Sequence, residues 1–178
     1  LYRLSLNDYT YKAYQNDPND LHSLPSNVTN SVIIDQNGDK WVASALGLSK
    51  LIDDTATAYS KFKTWNSSNS IMTKQFIKEI VEDDTGTIWL IGGDEVYRFF
   101  PETEQMRKYG YYDGLYGTRI WNVWKDPSGR IFFEARGGYK YVVPDSLENN
   151  SFIPPVILTD MSVQNKKVPI QGNFGDTL

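Results

Sequence analysis

The chain of 178 residues contains no cysteine and a single histidine, His22. The first absence excludes disulfides, thiolate metal sites and a cysteine nucleophile. The second leaves acid–base chemistry one imidazole, in a loop between Leu21 and Leu24, whereas a catalytic base needs partners within hydrogen-bond reach. No run of ~18 apolar residues occurs, so no segment reads as a membrane-spanning helix. Basic residues are in deficit: Lys and Arg number 18 against 22 Asp and Glu, for a formal net charge of -4. That argues against a nucleic-acid binder, which needs a basic stripe to neutralise phosphates. No charged-then-apolar leader follows Leu1, so any secretion signal is expected upstream. The serines lack the strand–turn–helix setting of a nucleophile elbow.

Aromatics, by contrast, are plentiful at 14%, with 5 Trp and 12 Tyr, and flat rings pack well on pleated sheets. One pattern occurs three times: an apolar strand, Asp-x-x-Gly, two residues, and an aromatic. It runs Val32 to Trp41 through Asp35 and Gly38, Ile80 to Trp89 through Asp83 and Gly86, and Val123 to Phe132 through Asp126 and Gly129. The glycines Gly38, Gly86 and Gly129 stand 48 and 43 residues apart. A period of roughly 40–50 residues with four short strands per unit is the signature of a β-propeller blade. The 3.6-residue period of helical repeats is missing.

Each unit divides into strands. Val28–Ile34, Lys40–Ser44, Leu48–Ile52 and Tyr59–Trp65 form the first, and Phe76–Glu82, Ile88–Ile91, Val96–Phe100 and Met106–Tyr109 the second. Ile120–Lys125, Ile131–Glu134 and Tyr139–Val143 form the third. The Asp and Gly residues suit tight hairpins, since Asp accepts nearby backbone amides and Gly takes positive φ. A calcium loop would need further acidic ligands at loop spacing. Trp41, Trp89 and Phe132 are expected at equivalent, mostly buried sites. Pro154-Pro155 blocks helix and supplies an extended hinge, and a new strand-forming segment is expected after it. The fold class expected is all-β: about three four-stranded blades of a partial propeller over residues 1–153. The first strands of an immunoglobulin-like sandwich would follow over residues 154–178.

These residues carry a resemblance. Leu21-His22-Ser23-Leu24-Pro25-Ser26-Asn27-Val28, then Asp35 to Ser44, then Gly47-Leu48, resemble one two-component regulator propeller repeat, and Asp84 to Gly92 a second. Tyr112 to Leu115, Arg130 to Phe133 and Tyr139 to Pro144 resemble the last blade of such propellers. Pro154 to Val168 resembles the opening of a triple-tyrosine domain. The second blade departs from the pattern at Asn66–Ile71, and the third at Phe132–Arg136. The resemblance implies the periplasmic sensor region of a hybrid two-component sensor histidine kinase of the Bacteroides type. Such a region detects an oligosaccharide released from a polysaccharide and relays the signal across the inner membrane, without chemistry of its own. Its implied partners are an oligosaccharide, the remaining blades of the same protein and a second copy. Membrane contact runs through segments outside this chain, and no cofactor or metal is implied. The alternatives are a non-catalytic propeller scaffold for a protein partner and, further off, a propeller lyase. Asp94, Glu95 and Glu134 are the carboxylates available for glycosidase-type pairing, though their spacing does not demand it.

If the first strand of each unit is innermost, the fourth-to-first and second-to-third loops open on one face. Sugars bind there by stacking on rings and bonding to planar polar groups, and anionic sugars add a demand for Arg. The candidate ligand residues are Tyr111, Tyr112, Arg119, Trp121, Arg136 and Tyr139. The competing role for Trp121 and Tyr139 is packing between blades.

Overall fold

The computed structural model describes residues 1–55, 60–73, 76–110, 113, 119–147, 162–163 and 166–167. It divides into two compact units, Leu1–Leu147 and Glu148–Leu178. The first begins with a hairpin, β1 (Tyr2–Leu4) and β2 (Tyr11–Ala13). A four-stranded antiparallel sheet follows: β3 (Thr29–Ile34), β4 (Lys40–Ser44), β5 (Gly47–Asp53) and β6 (Lys61–Trp65). The second four-stranded sheet is β7 (Glu79–Glu82), β8 (Ile88–Gly92), β9 (Glu95–Phe100) and β10 (Gln105–Tyr109). The third is β11 (Ile120–Lys125), β12 (Ile131–Ala135) and β13 (Gly138–Val142).

Three sheets in chain order, each a meander, are the blades that the repeat spacing predicts. The third shows three strands among the described residues. After Val142 the chain enters a 3-10 turn at Pro144–Ser146, where the proline ring removes a ladder donor. No α-helix occurs among the described residues. In the second unit β14 (Ser162–Val163) pairs with β15 (Lys166–Lys167); the expected sandwich start at residue 154 lies outside the described residues.

The signature aspartate closes each inner hairpin in one way. Asp35, Asp83 and Asp126 each accept the backbone N–H groups of the residues two and four positions on, at 2.9–3.0 Å. The backbone pair Gly38–Asp35, repeated as Gly86–Asp83 and Gly129–Asp126, completes the turn. It holds the three glycines at φ of 84°, 79° and 83°, where a β-carbon is strained. In the first two blades the second carboxylate oxygen takes the indole N–H of Trp41 or Trp89, each at 2.8 Å.

The core lies between the blades. Trp41, Ala43, Leu48 and Trp65 of the first pack against Ile80, Ile88, Leu90, Tyr97 and Phe99 of the second. Trp89, Ile91, Val96 and Tyr109 of the second pack against Ile120, Val123, Ile131 and Phe133 of the third. Ring contacts stitch both layers, Trp65 to Phe99 at 4.9 Å and Trp89 to Phe133 at 5.8 Å. Each such ring buries on the order of 150–250 Å², so area burial between blades dominates the stability of the unit. Trp41 and Trp89 are buried as expected. Phe132 is only half-buried, because its face of the third blade meets Trp124, Tyr139 and Tyr141, all exposed, instead of a fourth layer.

The hairpin β1–β2 is an element the repeat pattern does not predict. Its place follows from cation–ring contacts on the outer strands. Lys63 Nζ lies 5.4 Å from the centre of the Trp65 ring, and the Arg107 guanidinium 5.3 Å from that of Tyr109. Lys12 Nζ stands likewise 5.9 Å from the centre of the Tyr14 ring, again two residues earlier. Tyr14 packs with Leu24, Val42 and Phe62. The hairpin therefore occupies the place of the third and fourth strands of a blade preceding the first.

Candidate ligand-binding site

The inner strands define the site. β3 packs beside β7, and β7 beside β11, so these first strands line the axis on which the blades converge. Two of them carry a bulge at the same end: the register shifts at Asn30 in β3 and at Trp121 in β11. A bulge re-aims its side chain and raises local twist. Asn30, Lys78 and Trp121 each stand five residues before the signature aspartate, so they are one position repeated in three blades.

Those three side chains meet at one cleft of about 600 Å³, which also admits Phe76, Glu79 and Arg119. Asn30 Nδ2 donates to the Ile77 carbonyl at 2.7 Å, and Lys78 Nζ donates to the Trp121 carbonyl. Each bond runs from one blade to the next. The Ile120 amide adds a third, to the Gly93 carbonyl at 3.1 Å, and the Ile77 amide a fourth, to Ser44 at 3.0 Å. The floor of the cleft is thus a set of interblade hydrogen bonds. Its walls are two half-exposed rings, Phe76 and Trp121, with the exposed guanidinium of Arg119 at the rim. Rings that bare one face stack against the CH surface of a sugar, and Arg forks match planar anionic groups.

The structure brings together two of the six expected residues, Arg119 and Trp121. Trp121 is 43% exposed and lines the cleft, so it is not buried between blades. Tyr139 belongs to a different surface: its ring lies 5.5 Å from Phe132 on the outward face of the third blade. Arg136 is exposed in the turn between β12 and β13. Tyr111 and Tyr112 lie outside the described residues. Lys78, Asn30, Phe76 and Glu79 escaped the sequence reading. Their signal is positional, since Asn, Lys and Trp share no chemistry and only the count back from the aspartate aligns them.

The other groups weighed for chemistry have structural settings. Glu95 accepts from Thr73 Oγ1 at 2.5 Å, from Lys108 Nζ at 2.6 Å and from the Tyr97 hydroxyl. Burial alone would raise its pKa, but the bonds from Lys108, Thr73 and Tyr97 outweigh it and hold the carboxyl below its usual range. His22 has an exposed side chain, and its backbone carbonyl receives the Phe62 amide at 2.6 Å.

Comparison with known proteins supports the same architecture. No family model matches the chain. Histidine kinase P4 of Formosa agariphila is 28% identical over 103 residues, which span 54% of this chain and 7% of that protein. Among solved structures, the extracellular domain of the putative hybrid two-component system BT3049 from B. thetaiotaomicron superposes with a TM-score of 0.65 at 21% identity. That match covers 82% of this chain and 21% of the other. The extracellular domain of BT4673 from the same organism, also described as a putative hybrid two-component system, gives 0.68 at 20% identity. It covers 92% of this chain and 24% of that one. The chain thus spans about a quarter or less of the length of each of these three proteins, and it shares the fold of part of the two extracellular domains.

Proposed function

We propose that this chain is part of the extracytoplasmic ligand-sensing region of a two-component sensor, and that its ligand is an oligosaccharide bound in the cleft of Asn30, Lys78, Trp121 and Arg119. The observation that carries the site is the convergence of one repeated position from three blades on a single opening. Ligand contacts there would bear on the bonds that tie blade to blade, which gives a binding event a mechanical path into the propeller. The kinship in fold with extracellular domains of hybrid two-component systems supports the sensor role. No reaction is assigned to the chain.

The exposed cluster Trp124, Tyr139 and Tyr141 supports a second reading, a scaffold that binds a protein partner, because Trp and Tyr are enriched at such surfaces. Titration calorimetry with neutral and uronate-containing oligosaccharides separates the two. Trp121→Ala and Arg119→Ala are expected to weaken glycan binding about 10-fold or more, as loss of a charge-assisted bond implies, with an unchanged melting temperature. Wild-type affinity in both variants would move the site elsewhere. If no glycan binds and Tyr139→Ala or Tyr141→Ala abolishes capture of a protein partner, the scaffold reading replaces the sensor one.

A further inference from the structure

We infer that Asn37 is a site of spontaneous covalent modification, at which its side chain cyclises onto the Gly38 amide and opens the inner hairpin of the first blade. The position stands two residues after the signature aspartate, and the three blades fill it differently, with Asn37, Thr85 and Ser128. It is exposed in all three, so access to solvent belongs to the turn and not to one blade. In the second and third blades a hydroxyl is pinned to the signature carboxylate. Thr85 Oγ1 donates to Asp83 Oδ1 at 2.6 Å, and Ser128 Oγ to Asp126 Oδ1 at 2.7 Å. Asn37 gives Asp35 Oδ1 its backbone N–H at 2.9 Å, and its carboxamide has no hydrogen bond among the described residues. Glycine follows in each blade, but Asn37-Gly38 is the one Asn-Gly pair in the sequence.

Glycine leaves the attacking nitrogen with no β-carbon beside it. The Gly38 nitrogen gives up its proton and bonds to Asn37 Cγ while the Cγ–Nδ2 bond breaks. Nδ2 takes up a proton and departs as ammonia, leaving a cyclic imide. Water then opens the imide. Cleavage at Cγ leaves an aspartate, and cleavage at the backbone carbonyl leaves an isoaspartate whose main chain runs through Cβ and Cγ. The balance is one water consumed and one ammonia released, with no change of oxidation state. The Asp35 carbonyl holds the Gly38 N–H at 2.9 Å, so attack starts from the transiently opened turn. The extra backbone atom of isoaspartate falls inside the device that closes the hairpin. Asp35 Oδ1 accepts the amides of Asn37 and Asp39, each at 2.9 Å, and Asp35 Oδ2 holds the buried indole of Trp41. The Gln36 amide of the same turn ties this blade to the Glu82 carboxylate of the next at 2.9 Å. Isoaspartate therefore loosens hairpin and seam together, whereas aspartate adds only a charge beside Asp35 and Asp39.

The test is to hold the folded chain in mildly alkaline buffer, which favours the deprotonated nitrogen, and to map its peptides by mass spectrometry. Labelling with isoaspartyl methyltransferase reads the linkage. Asn37 is expected to convert ahead of Asn30, Asn66 and Asn69, each of which precedes a serine. Asn37→Thr, which installs the residue of the second blade, should abolish the conversion. The isoaspartate fraction should melt at least ~2 °C below the parent, and its Gln36 amide should exchange with solvent faster. Asn37→Asp supplies the same charge on a normal backbone and should keep most of the parent's stability. An intact Asn37 in a sample where an Asn-Ser pair has converted would overturn the site. An isoaspartate fraction that melts together with the Asn37→Asp variant would overturn the opening of the hairpin.

Discussion

The two buried indoles make the same hydrogen bond, yet removing that bond should not cost the same in both blades. Asp83 Oδ2 has three donors: Trp89 Nε1 at 2.8 Å, Thr87 Oγ1 at 2.5 Å and Arg98 Nη2 at 3.0 Å. Asp35 Oδ2 receives Trp41 Nε1 at 2.8 Å, while the amides of Asn37 and Asp39 go to the other oxygen. Trp89→Phe leaves the Asp83 carboxylate with two strong donors, so the loss is that of one net hydrogen bond, ~1 kcal/mol. Trp41→Phe strips Asp35 Oδ2 of its indole donor inside a site where Asp35 is only 7% exposed. The cost then approaches the penalty for an under-satisfied charged group, ~2–3 kcal/mol. Both rings are 1% exposed, so the smaller volume of Phe subtracts similarly from each and the difference isolates the polar term. Trp89→Ala, which also empties the space against Tyr109 and Phe133, should cost ~3–5 kcal/mol. Urea unfolding followed by circular dichroism reads all three. Equal losses for the two Phe variants, or a larger loss for Trp89→Phe, would refute the account of how the turns are satisfied. A loss below ~1 kcal/mol for Trp89→Ala would refute the interblade packing.

Acid should loosen the N-terminal hairpin. Burial raises the pKa of Asp54, but Lys12, Ser60, Tyr14 and Arg3 outweigh it and hold the carboxyl at about 2, below its ordinary 3.8. A depressed folded pKa contributes stability that is full above ~4 and fades as the pH falls toward 2. Amide exchange at Arg3 and Lys12 should therefore accelerate over that window, and Asp54→Asn should accelerate it at neutral pH and abolish the dependence. Gly47 has φ of 127°, and a β-carbon there would meet the Trp65 carbonyl oxygen at 2.3 Å. Gly47→Ala should thus destabilise the chain by more than ~1 kcal/mol and lower its urea midpoint, whereas Gly93→Ala, with open space around it, should cost only the strain of its positive φ.

The blades were legible because their signature is a local device. An aspartate that closes a hairpin and an aromatic six residues on are fixed by turn geometry, so spacing alone locates Trp41, Trp89 and Phe132. The N-terminal hairpin escaped because that device belongs to the inner strands of a blade, and β1 and β2 correspond to the outer ones. Their only mark is a basic residue two before a ring, Lys12 and Tyr14, which many exposed strands share. The site divides in the same way. Arg119 and Trp121 were legible as a cation and a ring beside a loop on the expected face. Lys78 and Asn30 were not, since a lone polar residue at a strand start carries no signal until three copies are aligned. Tyr139 was assigned to the loop face because it follows Gly137-Gly138, yet it occupies the position of Leu48 and Val96, both buried against the next blade. Register, not distance from a loop, decides where such a side chain goes.

The third blade shows how much the repeat tolerates when the carboxylate keeps its partner. Phe132 has no N–H to offer Asp126, and here the donor comes from a different direction: Arg130 reaches Asp126 Oδ2 with Nε at 2.8 Å and Nη2 at 2.6 Å. Its guanidinium also lies 5.4 Å from the centre of the Phe132 ring, so one side chain replaces both the indole N–H and the cation that Lys50 and Arg98 supply from the third strand. That frees the third strand to carry Tyr141 where the other blades carry a cation. The aromatic face of Trp124, Phe132, Tyr139 and Tyr141 follows from this exchange. Ala43 and Ile91, which close against the next blade, are answered here by Glu134, which is exposed. A face with that charge and two tyrosines is less suited to dry packing than the two interblade layers, because a buried carboxylate needs its own donors. The repeat thus holds the hairpin chemistry constant and lets the outward surface change, and the third blade is where the surface differs most from its neighbours.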